Sequence, residues 1–337
     1  MNSFTRERAE SLLKEMRGRH IAVVGDLMID RYYWGAVHRV SPEAPVPVVE
    51  VDSESVRLGG AANVANNIAS LGSMPLMVGL VGNDHEGEVL SEMVKELGFD
   101  RRGIIVDGSR PTTIKTRVIA QGQHVVRIDN ESRAECPEHL IAHLVDAVQY
   151  NIHSIDAIII EDYNKGVVSA ELISQLIAVA TKYGKIVAVD PKFNNFFSYK
   201  NVTLFKPNRR EVEEVLGGRL KNLEDVIAAG KRLLELLQVE NVLLTRGEEG
   251  MSLFTSKGDI LHIPSAARIV QDVSGAGDTV ISTLTLALAA GASIQEACIL
   301  ANQAAGVVVG SIGIVPIRPD ELLQSVLEAE PSTVVAG

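Results

Sequence analysis

Cysteine is almost missing from the 337-residue chain: Cys136 and Cys298 stand far apart and in no metal-ligand spacing. Neither a disulfide framework nor a zinc site is encoded, and a reducing cytoplasm is the expected compartment. Positive charge is also short, with 32 Lys and Arg against 43 Asp and Glu and a net charge of −11. That balance argues against nucleic acid as the main partner, because binding a phosphate backbone needs clustered Lys and Arg. A small phosphorylated ligand in a locally basic pocket is still allowed. No long hydrophobic run exists either. The most apolar region, residues 280–316, is punctuated by Gly291, Gln295, Glu296, Asn302 and Gly306, which predicts buried helices and no membrane span. The opening MNSFTRERAESLLKEMRGRH is charged and amphipathic and has no signal-peptide core.

Several catalytic motifs are missing as well. Without GxxxxGK[ST], any nucleoside triphosphate is held by something other than a P-loop, and the first strand, IAVVGDLMID, lacks the GxGxxG of a dinucleotide site. HExxH and GxSxG are absent. Repeats, low-complexity tracts and linker-like stretches are missing too, so residues 1–337 are read as one domain.

What is there is a globular composition, 46% hydrophobic and 22% charged. Short β-rich runs (IAVVGD, LMVGLVG, DAIIIED, KIVAVD, VTLFKPN, NVLLTRG) alternate with helical patterns such as AANVANNIASLG, EGEVLSEMVKELG and SAELISQLIAVATKYG. The helices end in Gly72, Gly98 and Gly184, as C-terminal caps do. Continuous Val, Ile and Leu in the strands predict an α/β fold, a mainly parallel sheet covered on both faces, with ligands at the carboxyl ends of its strands. Residues 31–58 and 110–131 lack helical period and read as a small β lid, the second part a hairpin turning at Gln121-Gly122-Gln123. On it, Lys115, Arg117 and Arg127 project toward one space or form a solvated strand face.

Candidate chemistry is spread along the chain. Asp26 and Asp30 follow the first strand, either as sugar-hydroxyl acceptors or as turn caps. Gly59-Gly60-Ala61-Ala62-Asn63 opens a helix with side chains small enough to admit a ligand, where Asn63 faces a polyol or caps the helix. Asn208 and Glu211, one turn apart in KPNRRE, either place a metal-bound water or form a cap with its third-position Glu. Thr245, Gly247 and Gly250 lie in a turn where a nucleotide can approach the backbone. In DVSGAGDT (residues 272–279), the amides around Gly275, Ala276 and Gly277 suit a transferring phosphoryl group, and Asp278 suits proton abstraction, kept ionised by the helix terminus.

With GGAAN near the N-terminus and DVSGAGDT near the C-terminus, the chain resembles the ribokinase-like (PfkB) carbohydrate kinases over nearly its whole length. The resemblance implies a three-layer α/β/α domain with a β-sheet lid, ATP and Mg2+ as cofactors, Asp278 as base, and Gly275, Ala276 and Gly277 as anion hole. It assigns Asn208, Arg209, Arg210, Glu211, Thr245, Gly247, Gly250 and Asn302 to ATP, with Asn208 and Glu211 organising magnesium. Asp272 and Ser274 match a site for a monovalent cation such as K+. Asp30, Gly59, Gly60 and Asn63 match sugar-binding positions, although GGAAN is one residue shorter than the common GGxxAN. Through GDLMIDRYYWG, RVSPEAPVPVVEV, TIKTRV, EDYNKG, VDPK and KPNRREVE, the chain is most similar to kinases of D-glycero-β-D-manno-heptose 7-phosphate. That similarity gives Lys115, Arg117, Arg127, Lys165 and Lys192 a substrate phosphate to bind. It also implies a homodimer through the lid. A kinase for another sugar phosphate, such as fructose 1-phosphate, and a non-catalytic sensor are the alternatives. The His-x-Gly-His of a fused nucleotidyltransferase is absent, so a stand-alone kinase or a kinase half is expected.

Overall fold

The computed structural model describes residues 5–329 and the backbone of 335–336. Its strands are β1 (His20–Gly25), β2 (Leu27–Val40), β3 (Pro47–Gly60), β4 (Met74–Gly82), β5 (Asp100–Asp107), β6 (Thr113–Ala120), β7 (Gln123–Asn130), β8 (Ala157–Glu161), β9 (Ile186–Asp190), β10 (Leu204–Phe205), β11 (Asn241–Thr245), β12 (Met251–Thr255), β13 (Ile260–Ile263) and β14 (Val335–Ala336). Ten of them form one sheet in the order β14-β13-β12-β11-β10-β9-β8-β1-β4-β5. From β11 to β5 every pairing is parallel, and β12 to β14 add an antiparallel edge.

The continuous apolar runs are explained by two cores. In β1, Ile21 and Val23 face one side and Ala22 and Val24 the other, so a strand buried on both faces has no use for alternation. Helices Ala61–Ser70, Ala276–Ala289 and Ile294–Val308 pack on the first face, and Glu138–Asn151, Ala170–Lys182 and Leu223–Leu237 on the second. This is the expected three-layer arrangement. Gly72, Gly98 and Gly184 follow their helices with φ of +85°, +74° and +61°, the left-handed cap conformation. Among the described residues no helix is long and apolar enough to cross a membrane.

The other four strands form a separate sheet, β3-β2-β6-β7. Its first hairpin is longer than expected, since β2 begins at Leu27 and β3 runs to Gly60, so the signature glycines end a strand of this sheet. The second hairpin is shorter, and turns on Gln121 and Gly122, both at positive φ, a two-residue turn whose twist suits a tight hairpin. Register settles which side chains share a face. Asp30 pairs with Lys115, Tyr32 with Arg117, and Arg117 with Arg127, so all five lie on one side of the sheet.

Candidate active site

Three neighbouring parallel strands of the central sheet end in polar groups. Glu161 is the last residue of β8, its register partner Asp190 is the last of β9, and Lys206 directly follows β10. All three are buried. Lys206 Nζ lies 2.8 Å from Asp190 Oδ2; burial opposes its charge, but Asp190, Glu161 and Glu211 together raise its pKa. Such a cluster at strand carboxyl ends is where sheets of this type bind ligands.

The DVSGAGDT segment closes over the cluster. Gly275, at φ +78°, is the N-cap of helix Ala276–Ala289, and Asp278 is its third residue. A Cβ on Gly277 would stand 3.5 Å from Lys206 Nζ and 3.6 Å from Asp190 Oδ2, so this glycine lies directly over the strand-end pair. The Ala276 N–H donates to Val273 O at 3.3 Å. Asp278 is 3% exposed, and each oxygen has a donor: Tyr163 Oη to Oδ1 at 2.8 Å and Asn63 Nδ2 to Oδ2 at 2.7 Å. Burial pushes this carboxyl up to about 6, against the lowering effect of those two hydrogen bonds. The helix terminus was expected to keep Asp278 ionised; loss of water raises its pKa, to a value that still leaves it mostly ionised at pH 7. Asp272 accepts N–H groups from Ser274 (2.9 Å) and Gly313 (3.0 Å), one on each oxygen, and so ties two loops together.

On the expected nucleotide side, Asn208 caps helix Arg209–Leu216. Its Oδ1 accepts from Glu211 N–H at 2.9 Å, and Glu211 Oε2 accepts from Asn208 N–H at 2.8 Å. The capping reading is therefore correct, and the box presses Glu211 into the site, where Oε1 pairs with Lys192. Thr245 sits beside Asn208 through a backbone bridge. Arg209 is held by Glu249 at 2.6 Å. Arg210 is exposed beside Glu213, Glu214 and Gly217, away from the cluster. Asn302 Nδ2 donates to Pro264 O at 2.9 Å. Gly247 has open space around it, whereas a Cβ on Gly250 would meet Ile263 O at 2.1 Å, so Gly250 is glycine because of its own sheet, not a nucleotide.

The expected substrate groups are mostly tied to one another. Asp30, 2% exposed, is paired with Arg117, which covers the Tyr32 ring at 5.3 Å. A Cβ on Gly59 would meet Asp30 Oδ2 at 2.2 Å, and one on Gly60 the Asp26 carbonyl at 2.5 Å. Asn63, which was assigned to the sugar or to a cap, spends its amide on Asp278 and caps nothing. Lys165 lies 2.5 Å from Glu131, Arg127 lies exposed and 2.9 Å from Asp129, and Lys192 is held by Glu211 on the nucleotide side. Among the described residues, only Lys115 of these five cations has no ion-pair partner. Its ammonium stands 4.7 Å from the Tyr163 ring centre, and burial lowers its pKa.

Four residues escaped the sequence reading: Tyr163, Glu161, Asp190 and Lys206. Asp26 has a structural task, accepting the N–H groups of Tyr163 (2.7 Å), Lys165 (3.2 Å) and Val167 (3.2 Å), which folds the loop that presents Tyr163 to Asp278. Glu161, Asp190 and Asp278 offer carboxylate oxygens all within 4.8 Å of one another. An all-oxygen donor set of this kind fits a hard divalent cation such as magnesium.

Residues 19–320 match the model of the pfkB family carbohydrate kinases. The chain belongs to that family. As a pfkB carbohydrate kinase it is a sugar kinase. It is 43% identical to the bifunctional protein HldE of Geobacter sulfurreducens over 95% of this chain, and 44% identical to HldE of Helicobacter pylori over 88%. The matches take in 65% and 64% of those relatives' length, so this chain spans about two-thirds of the proteins it matches. Among solved structures, the fold is similar to Arabidopsis thaliana ribokinase complexed with ribose and ATP (TM-score 0.73, 19% identity, 93% of this chain and 100% of that one). It is similar also to phosphofructokinase-2 of Escherichia coli in complex with substrates and products (TM-score 0.75, 20% identity, 92% and 98%).

Proposed function

We propose that this pfkB kinase transfers the γ-phosphoryl group of ATP to the anomeric hydroxyl of D-glycero-β-D-manno-heptose 7-phosphate, giving the 1,7-bisphosphate for ADP-heptose and lipopolysaccharide-core synthesis in the cytoplasm. One observation carries the reading beyond its relatives: the Tyr163 side chain spans from Asp278, bonded at its hydroxyl, to the unpaired Lys115 ammonium over its ring face. A sugar whose reacting hydroxyl lies on Asp278 and whose far end carries a phosphate on Lys115 fills that span. An unphosphorylated sugar leaves Lys115 half-buried without a counter-charge.

In this mechanism Asp278 accepts the proton of the anomeric hydroxyl. Asn63 and Tyr163 hold its two oxygens so that the free lone pairs face the acceptor. The amides at Gly275 and Gly277, with Lys206 behind them, receive the phosphoryl oxygens, and the lid sheet excludes water. Thr245 and the Asn208–Glu211 turn border the ATP phosphates, with Lys192 between Glu211 and the reacting centre. Carboxylates of the strand-end cluster would hold magnesium, whose charge would offset that of those phosphates. A monovalent cation at Asp272 and Ser274 and a homodimer joined through the lid belong to the same reading.

The test is ADP release over a panel of heptose 7-phosphate, fructose 1-phosphate, fructose 6-phosphate and ribose. Heptose 7-phosphate is expected to exceed every other sugar in kcat/KM, and to exceed ribose, which lacks a phosphate, by about 10⁴-fold, the scale at which a site built to pair a substrate's polar group rejects an analogue lacking it. Equal or faster turnover of another sugar overturns the assignment.

A further inference from the structure

Asn67 lies one turn after Asn63 on helix Ala61–Ser70, and both side chains are fully buried. A buried amide is costly unless both its ends are satisfied, so what each end faces is specified by its surroundings. The two ends of the Asn67 amide are fixed by backbone groups whose roles cannot be exchanged. Its Oδ1 accepts from the Ile317 N–H at 3.1 Å, which can only donate, and its Nδ2 donates to the Asn63 carbonyl at 3.0 Å, which can only accept. Thr279 Oγ1 is a second donor to Oδ1, at 3.2 Å. The nitrogen so placed also donates to Asn63 Oδ1, at 3.4 Å. With its oxygen turned to Asn67, the Asn63 amide presents its nitrogen to Asp278 Oδ2, at 2.7 Å. The hydrogen bonds therefore run head to tail, from the Ile317 backbone through Asn67 and Asn63 to the carboxylate, and each polarises the next.

We infer that Asn67 is a positioning residue for phosphoryl transfer: it holds the Asn63 amide with its nitrogen toward Asp278, and so fixes the direction of the carboxylate that meets the acceptor hydroxyl. This role rests on the reading of Asp278 as the base; the orientation of the two amides does not. An amide free to turn would offer its oxygen to Asp278 once that group has taken the hydroxyl's proton, and the carboxyl would be held differently before and after the transfer. Pinned by Asn67, Asn63 offers a donor throughout. The anchor itself comes from another part of the chain. Ile317 lies between helices Ile294–Val308 and Pro319–Glu328, and Ser70 Oγ donates to its carbonyl at 2.7 Å. Gly313 of the same segment donates to Asp272, so one loop braces the base at one end and the DVSGAGDT segment at the other.

The experiment measures kcat and KM for the whole chain, with ATP and the fastest sugar of the panel above, in Asn67→Ala, Asn63→Ala and the double variant. Asn67→Ala is expected to lower kcat about tenfold and to leave the KM for ATP within about twofold, the split produced by misplacing one reacting group. Asn63→Ala is expected to lower kcat at least as much, and adding Asn67→Ala to it to change kcat by less than about twofold, because Asn67 acts through Asn63. Ser282→Ala is the packing control: it removes another buried link to helix Ala61–Ser70, the bond from Ser282 Oγ to Val64 O at 3.1 Å, and should melt lower while keeping kcat. Neutron diffraction from crystals of the perdeuterated wild type is a second measurement that needs no variant to fold. Deuterons are expected on the Asn63 atom facing Asp278 and on the Asn67 atom facing Asn63. An Asn63 oxygen facing Asp278, an unchanged kcat in Asn67→Ala, or losses that multiply in the double variant overturns the inference. Activity retained by Asp278→Asn would instead fault the base reading, and the neutron map would still decide the orientation of the amides.

Discussion

Burial raises Asp278 to about 6 from an ordinary carboxylate value of 3.8, and the sign of that shift has two consequences. A group that binds its proton more tightly when folded favours the fold at low pH, and this contribution is lost as pH rises through about 6. The ionised carboxylate therefore costs stability at neutral pH, on the order of 3 kcal/mol. Asp278→Asn is expected to abolish turnover and to melt higher than the wild type at pH 8 in EDTA, the difference shrinking as pH falls from 6 to 4. A variant that melts lower at pH 8 contradicts this. The second consequence concerns Tyr163, whose hydroxyl lowers the Asp278 pKa. In Tyr163→Phe the acid limb of the kcat/KM profile should move upward from about 6, with kcat reduced about tenfold; an unmoved limb would leave Tyr163 a merely structural role. Asp278 and its glycines were legible in the sequence because one short segment carries both the helix start and the acid. Tyr163, Glu161, Asp190 and Lys206 were not, because each gains its meaning from a neighbour far away in the sequence. A readable trace did exist, in the acids that end the otherwise apolar runs AIIIE and IVAVD.

Elements fix what single residues cannot. Helix Arg209–Leu216 has only eight residues and a full capping box at its start, so its position depends on Asn208. Asn208→Ala is expected to lower stability by about 1 kcal/mol and to raise the KM for ATP more than that for the sugar, because Glu211 and Lys192 lose their anchor. Melting curves and steady-state kinetics check both; equal effects on the two KM values would argue that the helix merely packs. The central strands and their helices were readable from continuous apolar runs and glycine stops. Strand β5, DRRGIIVD, was not, since it opens on charge and lies at the sheet edge. Helix Glu138–Asn151 starts after Pro137 with no side-chain cap, which removes the usual starting mark. VTLFKPN promised a long strand, but only Leu204 and Phe205 pair on both sides before the chain turns at Pro207.

Across the whole molecule, the two-sheet plan could be read from composition and period, but the register of the lid could not. Register is what puts Lys115, Arg117 and Arg127 on one face of the lid and leaves the opposite face of β7 with Val126 (48% exposed) and Ile128 (57%). An uncovered edge strand with apolar side chains invites pairing, in keeping with a lid-joined dimer. Light scattering should give twice the 36.3 kDa chain mass, and Ile128→Glu should return it to one; a monomeric wild type rules the dimer out. The central claim joins Asp278, Tyr163 and Lys115 in one act, phosphoryl transfer to the end of a sugar whose other end is already phosphorylated. Phosphorus magnetic resonance of heptose 7-phosphate incubated with ATP, Mg2+ and the wild-type or Asp278→Asn protein tests it most directly. The account predicts a new anomeric phosphate signal with the wild type alone, and the same signal from Asp278→Asn, or none from the wild type, would contradict it.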